Sequence, residues 1–153
     1  LVASVVYGQP HVVMLVMLIS MVRQGKYTVP KGMRGTWVSR SKKSAYKTIK
    51  LTAHTATFVA KSSFYKKLDG KWTLYNMNNH WYDKHFETDW GGKASTKSIK
   101  SHWLATRNQG KKGTVFFKFG WTFDDARSFT LRKAASNAIR FDNPSFQNNY
   151  YRK

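Results

Sequence analysis

The chain has 153 residues, no cysteine, and 27 Lys and Arg against 7 Asp and Glu, a formal net charge of +20. That length suits one domain that buries its own core, and the lack of cysteine excludes a disulfide scaffold, thiol catalysis and the Cys-based zinc sites. Aromatic residues at 16% exclude a disordered basic tail.

Residues 1–22 carry no Lys, Arg, Asp or Glu, and Val12 to Val22 is almost wholly apolar. A run of that length matches the apolar part of an export signal and falls short of the ~20 residues that span a bilayer. No cationic stretch precedes it, and no small-x-small cleavage pattern follows. Three readings stay open: the remnant of an export signal, a buried strand or helix, and a membrane anchor. The first is favoured, and residues 23–153 are taken as the folded domain, not transmembrane.

From Tyr27 on, short runs of β-branched and aromatic residues alternate with Gly, Lys, Asn and Ser, which is the pattern of strands and turns. Thr36-Trp37-Val38 opens the first strand, and Tyr46–Leu51 and Thr55–Ala60 follow. Leu68-Asp69-Gly70-Lys71 reads as a hairpin turn between Ser63-Phe64-Tyr65 and Trp72–Tyr75. Thr114–Trp121 is the clearest strand, with Val115, Phe117, Phe119 and Trp121 on one face and Phe116 and Lys118 on the other. Ser128–Arg132 and Ala138–Phe141 continue in the same style, with one helical turn expected at Lys133–Asn137. Tyr150-Tyr151-Arg152-Lys153 reads as an edge strand or a basic tail. Strands at such short intervals predict an all-β fold, a single closed or nearly closed antiparallel β-barrel.

The cations are unevenly placed. No acid lies between Arg23 and Lys67, and a second acid-free stretch runs from Lys93 to Lys118. Such an excess points to an anionic partner: nucleic acid, an acidic membrane surface or a wall polymer. The lysines expected to meet it are Lys42, Lys43, Lys47, Lys50, Lys66, Lys67, Lys111 and Lys112.

Gly35-Thr36-Trp37 resembles the Gly-x-Trp opening of the calycins, the lipocalin-like and avidin-like barrels. The resemblance implies that Gly35 lets the chain enter the barrel, that Trp37 plugs its closed end, and that an arginine of the last strand covers the tryptophan. Arg140 is the expected partner, with Arg132 second. The stretch Pro30-Lys31-Gly32-Met33-Arg34-Gly35-Thr36-Trp37, followed by lysine-rich strands, is also similar to small secreted proteins of lactic-acid bacteria.

Reactive constellations are few. In His80–Trp90, an extended chain would put Asp83, His85, Glu87 and Asp89 on one face, a pattern open to cation binding or acid–base work. Surface ion pairing is the simpler reading. His54 and His102 have no second ligand nearby in sequence, and Gly110-Lys111-Lys112-Gly113 lacks phosphate-loop spacing and reads as a turn. Ser62–Lys67 and Phe116–Phe119 mix rings with cations as single-strand nucleic-acid binders do, although the RNA-recognition consensus is not met.

These features lead to an expected non-enzymatic, cofactor-free and monomeric barrel module, exported or at the cell surface, that associates with anionic polymers of the envelope. A small apolar ligand could sit among Phe58, Phe117, Phe119 and Trp121 if the barrel has a lumen. The alternatives are a nucleic-acid-binding β domain and, third, an envelope hydrolase using residues 83–89.

Overall fold

The computed structural model describes residues 25–77, 98–111, 113–119 and 127–153. The apolar segment 1–22, the cluster His80–Trp90, Lys112 and Trp121 lie outside the described residues. Among those described, no helix is long and apolar enough to cross a membrane.

The described residues form an all-β closed barrel. Its strands are β1 (Gly35–Ser39), β2 (Tyr46–Leu51), β3 (Thr55–Ala60), β4 (Gly70–Asn76), β5 (Trp103–Asn108), β6 (Thr114–Lys118), β7 (Phe129–Ala135), β8 (Ala138–Asp142) and β9 (Gln147–Arg152). Each strand pairs with its successor, and β9 returns to β1 through Trp37 opposite Arg152 and Ser39 opposite Tyr150. Closure of an odd number of described strands forces one departure from the expected antiparallel order. Direction must reverse an even number of times around a ring, so one neighbouring pair has to be parallel. That pair is β4 and β5, with Thr73 opposite Trp103 and Asn76 opposite Thr106.

Alternation places the core. In β3, Ala56 and Phe58 are buried between partly exposed neighbours, and in β6 Val115 and Phe117 alternate with Thr114, Phe116 and Lys118. A bulge between Tyr46 and Thr48 interrupts β2, adding a residue to its outer side. Inside the barrel the rings touch one another. Tyr46 stacks on Phe58 at 4.6 Å, Phe129 on Phe141 at 4.5 Å and Phe117 on Phe129 at 5.0 Å, while Phe119 meets Phe58 edge-on at 6.0 Å. Such stacked and T-shaped arrangements add to the burial of large apolar surfaces.

Both ends of the barrel are closed by the same device. At one end the 3-10 helix η1 (Lys31–Met33) precedes β1, and at the other η2 (Ser63–Leu68) precedes β4. The sequence after each helix follows one pattern, Met33-Arg34-Gly35-Thr36-Trp37 and Leu68-Asp69-Gly70-Lys71-Trp72. Trp37 Nε1 donates to the Met33 carbonyl and Trp72 Nε1 to the Leu68 carbonyl, both at 2.8 Å. Gly35 and Gly70 sit at φ +127° and +106°, where side chains other than glycine's are strained. Since β1 and β4 run in opposite directions, the two tryptophans plug opposite ends.

Four expectations need correction. Ser63-Phe64-Tyr65 is not a strand but part of η2: Tyr65 and Leu68 are buried in it, and β4 pairs instead with β3. Lys133–Asn137 makes no helical turn, because β7 continues through Ala135 and a tight turn at Ser136–Asn137 leads into β8. The C-terminal residues are neither edge nor tail, since β9 is paired on both sides. The cation over Trp37 is Arg152, 4.3 Å from the ring centroid, and not Arg140. Arg140 lies between buried Ile139 and Phe141 and directly opposite Arg132, so strand alternation turns both arginines outward.

Candidate anion-binding end of the barrel

Antiparallel connectivity brings the β1–β2 loop and the β3–β4 connection to the same end, the one closed by Trp72. The β1–β2 loop is shaped by hydroxyl-to-backbone bonds, which compete well with regular structure in such short segments. Ser39 Oγ accepts from the Ser41 N–H at 3.1 Å, and Ser41 Oγ accepts from the Lys43 N–H at 3.1 Å. Lys42 and Lys43 are thereby presented at an exposed bend. The β3–β4 connection docks against this loop, where the N–H groups of Lys61 and Ser62 share the Ala45 carbonyl at 3.0 and 3.3 Å. Lys61 Nζ donates to the Ser41 carbonyl at 2.6 Å.

The helix η2 then carries exposed Lys66 and Lys67 over this end. Its inner side is anchored by Tyr65, whose hydroxyl accepts from Asn143 Nδ2 at 2.6 Å. Its outer side is held by Arg127, which donates from Nε to the Phe64 carbonyl at 2.9 Å and lies 3.8 Å over the Phe64 ring. Between the end of β3 and η2 is an open cleft of about 260 Å³ lined by Lys61, Ser62, Ser63, Lys66 and Asp69. The Asp69 carboxylate is engaged, accepting from the Ala60 N–H at 2.6 Å. Two lysines and two serines therefore line a volume fit for a small oxyanion.

Of the lysines expected to meet an anion, the structure gathers Lys42, Lys43, Lys66 and Lys67 at this end, with Lys47 on the adjoining start of β2. Lys50 lies farther along the outer wall, in a row with Thr36, Thr57 and Lys71. Lys111 sits in the β5–β6 turn at the opposite end. Residue spacing alone did not single out Lys61, Arg40 or Arg127. The signal for them is topological: loops separated by two antiparallel strands share an end. Only Asp69 and Asp142 carry carboxylate side chains among the described residues, so the positive field here is little offset.

The expected lumen residues Phe58, Phe117 and Phe119 are all buried and packed ring to ring. His54 donates from Nδ1 to the Tyr27 carbonyl at 3.0 Å. His102 does so to the Lys71 carbonyl at 2.9 Å and stacks on Trp72 at 4.4 Å, so both histidines serve the fold. Among the described residues no group of three or more His, Asp or Glu converges. Compared with protein-family models, curated proteins and solved structures, the chain matches none.

Proposed function

We propose that this protein is a non-enzymatic, exported or surface-associated barrel module that binds phosphate-bearing anionic polymers of the cell envelope. The observation that carries the reading is the convergence of Lys42, Lys43, Lys61, Lys66 and Lys67 around a cleft at one closed end, with one engaged carboxylate among them. Polymer binding of this kind is driven by release of condensed counterions and needs no catalytic group. A ligand inside the barrel would have to part rings already in contact and pass a tryptophan plug, so the outer surface is the favoured place.

The calycin resemblance belongs to the same proposal. A Gly-x-Trp strand entry under an arginine of the last strand supports it, while nine described strands with one parallel pair depart from the eight of a lipocalin. The likeness to small secreted lysine-rich proteins of lactic-acid bacteria and the apolar run at residues 12–22 support export.

The test is the salt dependence of binding to a polyphosphate. A variant with Lys42, Lys43, Lys61, Lys66 and Lys67 all changed to Gln should lower the slope of log K against log salt by about 4. Lys111→Gln should change it by less than about 1. An unchanged slope in the quintuple variant would remove this end as the binding site.

A further inference from the structure

At the same closed end as the lysine cleft, but sharing no lining residue with it, a groove of about 270 Å³ runs between β6, β7 and β8, lined by Phe116, Phe129, Thr130, Asp142 and Pro144 among others. Phe116 is the outward member of β6 between buried Val115 and Phe117, and is partly exposed. Arg107, directly across from it on β5, lies 5.0 Å over its ring and steadies it. Across the groove from the ring, one strand beyond Thr130, stands Asp142, an exposed carboxylate on a chain of net charge +20. Asp69 uses its carboxylate within the fold, but among the described residues the Asp142 carboxylate has no hydrogen-bond or ion-pair partner.

A second feature adjoins the groove. Two residues along the same strands, about 7 Å away by strand rise, Arg132 and Arg140 stand directly opposite each other on the outer face. Like charges in that relation destabilise a sheet. Among the described residues neither guanidinium has a hydrogen-bond or ion-pair partner that would offset the repulsion. An anion placed between them would relieve it.

The ligand that satisfies both features has a flat apolar body, adjacent N–H donors and a phosphate a short distance away. We infer that the groove seats one guanine base of a single-stranded nucleic acid. The base stacks on Phe116, as bases do on aromatic platforms. Its neighbouring N–H and amino donors meet the two oxygens of Asp142, an acceptor-only group when ionised. The adjoining phosphate lies at the Arg132–Arg140 pair in a bidentate contact. Thymine presents one such donor and adenine and cytosine only an amino group, so guanine alone fills both carboxylate oxygens. This site shares no lining residue with the lysine cleft, and its argument does not rest on that cleft.

Fluorescence anisotropy with a labelled short oligothymidylate, and with the same strand carrying one central deoxyguanosine, tests the inference at about 0.15 M salt. The guanosine strand should bind about tenfold more tightly, the scale of one good paired contact to a base. Asp142→Asn, at an exposed position outside the core, should erase that preference, bringing the two strands to equal affinity. Phe116→Ala should weaken both strands. Arg132→Gln combined with Arg140→Gln should lower the salt slope by about 1 to 2. Equal binding of the two strands by the wild type, or a preference that survives Asp142→Asn, overturns the base seat. The quintuple lysine variant reports separately: loss of polyphosphate binding there, with no guanosine preference in the wild type, leaves the anion-binding end standing and removes the groove.

Discussion

Trp37 and Trp72 occupy equivalent places at opposite ends of one barrel. Each indole nitrogen donates at 2.8 Å to the carbonyl four residues earlier, at the last residue of a 3-10 helix. Each ring is covered by a group from a distant strand or loop: Arg152 at 4.3 Å over Trp37 and His102 at 4.4 Å on Trp72. Both tryptophans are fully buried, so the ends are closed by packing rather than left as mouths.

The first prediction concerns the cover of Trp37. Arg152 also donates to the Arg34 carbonyl at 2.8 Å and to the Gly32 carbonyl at 3.1 Å, tying η1 to the last strand. Arg152→Ala should cost about 1–2 kcal/mol in urea unfolding, and Trp37→Ala about 3–5 kcal/mol. Arg140→Ala should stay within about 0.5 kcal/mol, as for an exposed side chain away from the core. A loss at Arg140 equal to that at Arg152 would contradict the packing described.

Gly35 and Gly70 should be jointly intolerant. A Cβ at Gly35 would come within 2.7 Å of Arg152 Nη1, and one at Gly70 within 3.3 Å of His102 Cε1. With the positive φ added, each change to Ala should cost on the order of 1–3 kcal/mol. In a double-mutant cycle, Gly35→Ala should cost less when Arg152 is already Ala, because the clash is gone while the backbone strain remains. Additive effects would show that the close approach carries no energy.

Asn143 should behave as a structural residue. Its Oδ1 accepts from the N–H groups of Ser145 and Phe146 at 2.9 and 2.7 Å, shaping the β8–β9 turn, while Nδ2 reaches the buried Tyr65 hydroxyl. Replacement by Ala removes all three bonds and should cost about 2 kcal/mol by chemical denaturation. Asp at this position keeps the turn but loses the donor to Tyr65, so it should rescue only part of the loss.

Tyr27 and Tyr150 give the protein an alkaline limit. Burial pushes both hydroxyls up to about 12, opposed at Tyr150 by its bond to the Tyr46 backbone. The folded state therefore holds these protons more tightly than the unfolded chain, whose tyrosines titrate at ~10. Their contribution to stability is complete below pH ~10 and is lost as pH rises towards ~12. Tyrosinate absorbance should show these two groups ionising last, together with loss of structure. Full titration near pH 10 with the fold intact would contradict their burial.

Much of the barrel was legible because a half-buried strand must alternate. The bounds of Tyr46–Leu51 and Thr55–Ala60 follow from runs of β-branched and aromatic residues between turn residues, and the inward set Val115, Phe117 and Phe119 from the alternation. The strand at Trp103–Asn108 is harder to bound because its outward Ala105 is buried too, which blurs the alternation. Ser63-Phe64-Tyr65 resembled a strand because two adjacent aromatics favour extended chain, yet burying Tyr65 and Leu68 three apart suits a 3-10 turn.

By itself the sequence determined a cysteine-free, strongly cationic all-β domain and the Gly-x-Trp entry at Gly35. The repeat of that entry at Gly70 was also present in the letters. Only the tertiary structure decided that Arg152 covers Trp37, that the barrel closes through a parallel β4–β5 pair, and that Lys61 joins Lys42 and Lys66 at one end. The physical reason is one of range. Strand period and turn chemistry act over a few residues, whereas ring closure joins residues more than a hundred positions apart, and nothing local to Arg140 or Arg152 distinguishes which will reach the tryptophan.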